Sequence, residues 1–370
     1  MRIVHIVRGN YTPESLNGVY KVIDNLSIAL ANRGGQITVC SIAPKPKKQI
    51  YQTSTYRHVQ FKEHPLRFFL CDEFRKFLLS CPEDTIFHFH SVFIPWFLSA
   101  VRLLKQNGFK RVVLTPHGQY IDEAMNISLK KRVFFHFFDR KVIQTVDAVQ
   151  LIGCTEKNRY ITSNAKEFHL IPNGCVPSKA IVPVKNKLYF GYMGRLDMNQ
   201  KGLDILCQAF GFYKKQGGNG QLLIAGDGQD KNNLEELCKS IGVADCVCFT
   251  GKVFGKEKND FFNKCAYFIH SSRWDVLPTG CMEAAANGLP LVVSQETNLG
   301  MYIEKFNAGF AYVSDGRPVQ ALTETLFKAE TLFRVAESYR ECCESSMAMI
   351  AEELNWDCIS EMDVELLYHI

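Results

Sequence analysis

Short apolar runs alternate with longer amphipathic stretches along this chain, and the rhythm is kept almost from end to end. Arg2 to Val7 alternates weakly and predicts a first, central strand. A polar loop, TPESLNGVY, leads into KVIDNLSIALANRGG, where Val22, Leu26, Ala29 and Leu30 fall on one helical face and Gly34-Gly35 marks the stop. QITVCS predicts the next strand. Thr85 to His90, Arg111 to Leu114, Asp147 to Leu151 and FHLIP predict further strands, with a loop and helix in SVFIPWFLSAVRLLKQNG and a helix beginning in CTEKNRYI.

The opening strand, loop, helix and strand are the start of a Rossmann-like half. A polar, proline-bearing linker, PSKAIVPVKNK at 177–187, precedes a second such half. There LYFGYM predicts a strand ending at Gly194-Arg195-Leu196, and Lys201-Gly-Leu-Asp204 opens a helix. QLLIAGDGQDKNNLEEL reads as strand and helix, with Gly226-Asp-Gly228 as a turn, and CVCFTGKV follows. Ala266 to His270 is a buried strand, GCMEAAANG a helix that stops at Gly288 before Pro290, and LVVS another strand. SQETNLGMYIEKFNAGF reads as loop, helix and turn, and Asn355-Trp356-Asp357 starts a last helix. The pattern alone supports two α/β halves, without low-complexity segments or short repeats.

Composition narrows the class. The 370 residues suffice for two domains with separate cores, and 46% hydrophobic with 22% charged residues are globular values. A net charge of +5 is too mild to argue for nucleic acid. The 14 cysteines scatter without a C-x-x-C pair or Cys/His ligand spacing, which speaks for reduced, small buried residues of a cytosolic protein and against structural zinc. MRIVHIVRGN lacks the pattern of a signal peptide, and no window of 18 uncharged apolar residues exists, so a cytoplasmic protein is expected.

Candidate chemistry concentrates in SSRWDVLPTGCMEAAANGLP, residues 271–290. A strand delivers a polar loop to a helix whose free N–H groups form a ready phosphate site. Two carboxylates, Asp275 and Glu283, frame it. Arg195 and Lys201 flank another strand-to-helix turn, and two cations there suit a departing diphosphate, whose charge grows in the transition state. In the first half, the strand before Thr115-Pro-His117-Gly118 delivers a histidine at its carboxyl end, where open parallel sheets bind ligands. His88 and His90 lie on a strand, one of them expected to point into the sheet, and neither is assigned to catalysis.

The pattern S-S-R-W-D-x-L-P-x-G-x-x-E-A-x-A-x-G-L-P-L-V-V-S resembles the donor-site segment of glycosyltransferase family 4. G-R-L-x(5)-K-G-L-D at 194–204, TPHG, IPNG and the F-x-G-x-V of Phe249 to Val253 resemble the same family, so the likeness spans nearly the whole chain. It departs where the family usually has Glu followed by Gly and this chain has Asp275 and Val276. Ser-x-x-Glu survives loosely as Cys154-Thr155-Glu156, and the glycines of the first loop are reduced to Gly18.

The resemblance implies a GT-B architecture, two Rossmann-like domains facing across a cleft. Residues 1–176, with a C-terminal helix at 355–370 packing back on them, would grip the acceptor, and residues 177–354 the donor. By the same resemblance, Glu283 meets the ribose, Arg195 and Lys201 the diphosphate, and Thr279 with Gly280 adds helix-start amides. Asp275 and Leu277 lie beside the sugar, Gly251 and Val253 by the base, Gly18 near the phosphates, and His117 faces the reacting sugar. The implied activity is a retaining transfer from a UDP- or GDP-linked sugar to a hydroxyl of a glycan or lipid-linked acceptor in bacterial O-antigen, capsule or lipopolysaccharide assembly. Neither metal nor cofactor is expected, since two cations already face the diphosphate and no Asp-x-Asp motif stands in a donor loop. A nucleotide-sugar 2-epimerase, an inactive sugar-nucleotide binding protein and a phosphorylase-like enzyme needing pyridoxal phosphate are the alternatives.

KEHPLRFFLCDEFRKFLLS and LKKRVFFHFFDRKVI both mix Phe and Leu with Arg and Lys, with Phe134, Phe137 and Phe138 at helical spacing. Such stretches suit either a core-facing aromatic stripe with a solvated basic edge or a peripheral contact with an anionic membrane, the inner face of the plasma membrane in this case.

Overall fold

The structure is a computed structural model that describes residues 1–12, 17–46, 55–178 and 186–369. Most of the linker expected at 177–187 lies outside these residues, as does part of the loop before Gly18. Two compact units make up the chain: Met1–Gly174 with Trp356–Ile370, and Cys175–Asn355.

In the first unit, seven strands form one parallel sheet: β1 Arg2–Arg8, β2 Gln36–Ala43, β3 Arg57–Lys62, β4 Thr85–His90, β5 Val112–Thr115, β6 Ala148–Leu151 and β7 Phe168–Leu170. Their order is β3-β2-β1-β4-β5-β6-β7. Helices cover both faces of such a sheet, which is why β1 and β4 are buried almost throughout instead of alternating. The helix Gly18–Asn32 starts where the Asn17 side chain accepts from the Val19 N–H, and it buries Val22, Leu26, Ala29 and Leu30 as expected. The terminal helix Trp356–Met362 lies against it, with Arg33 donating to Ser360 Oγ at 2.9 Å and to the Asp357 carbonyl at 2.8 Å.

The second unit carries six parallel strands: β8 Tyr189–Met193, β9 Gln221–Ala225, β10 Val247–Gly251, β11 Tyr267–His270, β12 Leu291–Ser294 and β13 Gly309–Tyr312. Their order, β10-β9-β8-β11-β12-β13, is the doubly wound order of a dinucleotide-binding fold. Both sheets therefore reverse direction of winding beside their first strand, between β1 and β4 and between β8 and β11. At such a switch point, adjacent crossovers diverge to opposite faces and leave a crevice beyond the carboxyl ends.

Several elements differ from the sequence reading. β3 carries no strong apolar run and β13, read as a turn, is only four residues long. Two long helices, Pro318–Phe333 and Ala336–Glu352, add Leu322, Leu326, Ala329, Tyr339 and Cys343 to the second core. CTEKNRYI forms a 3-10 turn, Cys154–Glu156, and then a separate helix, Arg159–Thr162. Lys201 does not open a helix. It ends the short helix Met198–Lys201, and Gly202 in a left-handed conformation separates it from Leu203–Lys215.

The stretch 129–145 is helical but broken by a π-turn at Phe135–Asp139. The extra residue per turn there shifts the faces out of phase. Phe135 joins the core, Phe134 packs at a tilt against Phe138 with 5.0 Å between ring centres, and Phe137 is exposed. His88 and His90 share one buried face of β4, as the two-residue period of a strand requires.

Backbone packs directly on backbone at the crevice of the second unit. Gly226 has φ +133°, and a side chain on it would run into the Gly194 carbonyl. Gly226→Ala is expected to cost about 3 kcal/mol or more of stability, because the strained backbone and the overlap cannot both relax. A urea midpoint equal to that of the unmutated chain would contradict this.

Candidate active site

At the crevice between β8 and β11, two loops interlock. The 194–202 loop leaves β8 and the 271–278 loop leaves β11. The Tyr192 hydroxyl donates to the Arg195 carbonyl at 2.9 Å, and Asp197 caps the short helix by accepting from the Gln200 N–H at 2.8 Å. Ser271 Oγ donates to the Lys201 and Gly202 carbonyls at 3.1 and 3.0 Å. Arg273 clamps Asp204 through two bonds of 2.8 and 2.7 Å and donates to the Met198 carbonyl at 2.7 Å. These ties fix the height at which Lys201 stands over the sheet.

That position brings Lys201 Nζ into direct contact with Asp275 Oδ2, which also receives the ring N–H of His270 at 3.1 Å. Burial alone would raise the Asp275 pKa. The His270 hydrogen bond and the Lys201 charge outweigh it and hold the carboxyl well below the usual range. His270 moves down, because burial penalises its charged form. The cluster is thus an ammonium, a carboxylate and a neutral imidazole meeting at one oxygen.

Arg195 extends from the same loop, is largely exposed, and bonds Gln200 Oε1 at 2.5 Å with Asp197 at 3.4 Å. It is an exposed cation beside a half-buried one. The helix Thr279–Ala286 begins against the end of β8, where Gly280 leaves room at the Met193 carbonyl. The Cys281 N–H bonds the Pro278 carbonyl at 3.1 Å, so Thr279 and Gly280 stand at the open end of the helix.

Glu283, further along that helix, pairs with Lys258 of the helix Gly255–Lys264 at 2.8 Å. Leu277 is buried in the core cluster that also receives Val253, so at 277 only the backbone is offered to a ligand. The Gly251 carbonyl at the end of β10 is taken by the Gly226 N–H at 2.7 Å.

Two of these neighbours, His270 and Lys258, escape sequence reasoning. His270 ends an apolar run, and its one signal is its place five residues before Asp275. Lys258 is one lysine among several in GKEKNDFFNK, and only folding sets it opposite Glu283.

In the first unit, Thr115 ends β5 and Pro116 leads to His117, whose backbone is left-handed at φ 55°. A non-glycine residue there needs to be held. Glu156 supplies the hold, accepting from the Gly118 N–H at 2.6 Å and from the Ile152 N–H at 2.7 Å. Burial pushes its carboxyl up to about 7. His117 Nε2 lies 3.1 Å from His90 Nδ1, and burial lowers the His117 pKa to about 4. Gly18 is exposed at the start of its helix.

Burial sets the acid response of this unit. It lowers His5 to about 3 and His58 to about 4, with His88 and His90 well below their ordinary value. Against these, Asp139 rises to about 7 and Asp363 well above the usual range, like Glu156. Below pH 6.5 the unfolded chain takes up protons on five histidines that the folded chain refuses, counting His117. Folded carboxyl groups keep three protons that the unfolded chain releases. The histidines outnumber the carboxyl groups, so unfolding takes up protons in this range and stability falls with acidification between about pH 6.5 and 5. Urea midpoints across that interval check the sign; a flat or rising stability contradicts it.

Comparison with known proteins gives this geometry a family. The family model described as Glycosyltransferase Family 4 matches residues 16–179, and that described as Glycosyl transferases group 1 matches residues 178–339. Mannosylfructose-phosphate synthase of Agrobacterium fabrum is 25% identical over 334 residues, 72% of either chain. Sucrose-phosphate synthase from Thermosynechococcus elongatus superposes with a TM-score of 0.74 at 17% identity, over 99% of this chain and 98% of that one. Anabaena Alr3699/HepE, solved in complex with UDP and glucose, gives 0.70 at 14% identity over 99% and 98%. With the two family models together matching residues 16–339 and the fold shared over 99% of the chain, the chain belongs to the glycosyltransferases of the family 4 type, enzymes built on the GT-B fold.

Proposed function

We propose that the chain is a retaining glycosyltransferase that moves a sugar from a UDP- or GDP-linked donor to a hydroxyl of a glycan or lipid-linked acceptor in bacterial surface-polysaccharide assembly. The observation that carries this reading is the meeting of Lys201, Asp275 and His270 at the crevice of the second sheet, with Arg195 on the same loop. The neighbour holding UDP and glucose supports a nucleotide-sugar donor.

In this reading, Lys201 and Arg195 hold the diphosphate and stabilise its growing charge, and the open amides at Thr279 and Gly280 add to them. Glu283 accepts from the ribose hydroxyls, exchanging its contact with Lys258. Asp275 stays ionised and orients the sugar while keeping Lys201 in place, and His117 is the first unit's candidate recognition group. The anomeric C–O bond breaks with its electron pair going to the phosphate oxygen. The acceptor oxygen then attacks the same face of the oxocarbenium-like carbon, and its proton passes to the leaving phosphate. The two cations supply the neutralisation that a divalent metal would otherwise give.

An exposed patch on the first unit supports a lipid-linked acceptor at a membrane surface. Leu66, Phe69, Leu129 and Phe137 are exposed among Arg67, Lys130, Arg132 and Lys141, and Phe68 packs on Phe138 at 4.8 Å to join the two segments. Apolar side chains ringed by cations suit the boundary of an anionic bilayer. No helix among the described residues is long and apolar enough to cross one.

The test is metal-free incubation with α-linked UDP- and GDP-sugars, followed by proton NMR of the released sugar or product at the earliest times. Retention predicts the α anomer first, together with nucleoside diphosphate. The β anomer first would overturn retention, and an epimerised donor with no sugar released would mark an isomerase.

A further inference from the structure

Beneath His117 lie three more histidines that the transfer mechanism leaves unused. His5 on β1 and His88 on β4 are register partners, His90 stands two residues further on the same face, and all three are fully buried. Their ring nitrogens lie close enough to suggest a metal site, with ligand atoms within 4.8 Å of one another. The hydrogen bonds argue otherwise. The Tyr368 hydroxyl lies 2.7 Å from His88 Nδ1, and His88 Nε2 lies 2.6 Å from Thr115 Oγ1, which donates to Gln150 Oε1 at 2.6 Å. Because Thr115 spends its proton on Gln150, His88 donates from Nε2 and accepts from Tyr368 at Nδ1. Both its nitrogens are engaged, so it has no lone pair left for an ion.

The other three rings form a line: His5 Nδ1 to His90 Nε2 at 2.9 Å, and His90 Nδ1 to His117 Nε2 at 3.1 Å. Each neutral imidazole has one N–H, so the protons in this line must all point the same way. If they ran from His117 inward, His5 Nε2 would carry an N–H. That nitrogen is buried without a partner. An orphaned buried N–H is costlier than an unused lone pair, so the protons run outward. His5 donates to His90, His90 donates to His117 Nε2, and the proton of His117 sits on Nδ1.

We infer that His90 and His5 are positioning residues that lock His117 as its neutral Nδ1–H tautomer, so that it presents a hydrogen-bond donor and not a base at the end of β5. This rests on the reading of His117 as a site residue. The consequence is chemical: with Nε2 occupied by His90, His117 can donate to a sugar oxygen but cannot take the acceptor's proton. The histidine is then a fixed recognition group, its orientation set two strands away on β1.

The test is long-range nitrogen–proton correlation NMR on the full chain labelled at its ten histidines. At pH 7, His117 should show a protonated Nδ1 and a bare Nε2, and His5 a bare Nε2. A protonated Nε2 on His117 would overturn the proposal, whatever the activity. His90→Asn keeps an N–H where His90 Nδ1 stands and should keep the His117 tautomer and most of the turnover. His90→Leu should release the tautomer and lower turnover by about 10- to 100-fold, by analogy with the loss of the partner that orients a metal-bound histidine. Equal turnover of the two, with the tautomer unchanged in both, would contradict it. Zinc titrated into the wild-type chain should leave these signals in place; loss of the His5 and His90 signals at one equivalent would assign the rings to an ion instead. If His117→Ala leaves transfer intact while the tautomer is as stated, the site reading fails and the proton line stands.

Discussion

Lys201→Ala is expected to lower transfer by about 100- to 1000-fold, the usual loss when one preorganised charge is removed from a developing oxyanion. Its ammonium is the fixed cation of the crevice, held by Asp275 and by the loop that Ser271 and Arg273 secure. Removing it also leaves the Asp275 carboxylate with His270 as its neighbour. The imidazole, now beside an uncompensated anion, can take a proton and replace part of the lost charge. The chain should therefore stay folded, with circular dichroism unchanged and a modest loss of urea midpoint. Binding of free nucleoside diphosphate should weaken in parallel. Near-normal turnover in a folded Lys201→Ala enzyme would remove the diphosphate assignment.

Asp275→Asn separates binding from catalysis, because it acts on the same pair with the opposite sign. The amide cannot balance Lys201, so the ammonium is freed for the diphosphate and a negative charge is taken from beside it. Free nucleoside diphosphate should bind as well as before or a few-fold better, since a partly screened charge contact is worth up to about 1 kcal/mol. Turnover should still fall by about 100-fold, because Lys201 loses its anchor and the sugar faces a neutral amide in place of a charged carboxylate. Calorimetric titration with UDP and GDP beside steady-state rates checks both halves. Weakened nucleotide binding would mean that Asp275 touches the donor through something other than Lys201.

Much of this site was legible in sequence because its parts fall where strands end. The run Ala266 to His270 announces β11, and the polar residues after it can only be a loop at the carboxyl edge. GRL with KGLD places Arg195 and Lys201 beside β8 by the same logic. What local pattern does not encode is pairing across elements. Nothing in the spacing tells that Asp275 meets Lys201, 74 positions away, or that Glu283 faces Lys258; these contacts are set by the order β8-β11 and by helix packing.

The misses have physical reasons too. β3 is an edge strand with little apolar content, and β13 is too short to show a period. The helix from Pro318 carried a readable signal, proline at its first position and Leu322, Leu326 and Ala329 at helical spacing, which a strand-led reading passes over. The π-turn at Phe135–Asp139 defeats any fixed period, since it shifts the helix face part-way along. The histidine line could be suspected from His88 and His90 alternating on one strand, but His5 joins it only through the register of β1 on β4.

Nucleotide binding to the second unit is the property on which the donor site depends, and thermal shift without metal, using UDP, GDP and their common sugars, measures it. A ligand bound only by the folded state raises stability by mass action, about 2.7 kcal/mol at a hundredfold excess over its dissociation constant. The expected result is a clear upward shift with one nucleotide family, abolished in Glu283→Ala, which lacks the carboxylate proposed to accept from the ribose. No shift with any nucleotide, or an equal shift in Glu283→Ala, would contradict the donor site described for these residues.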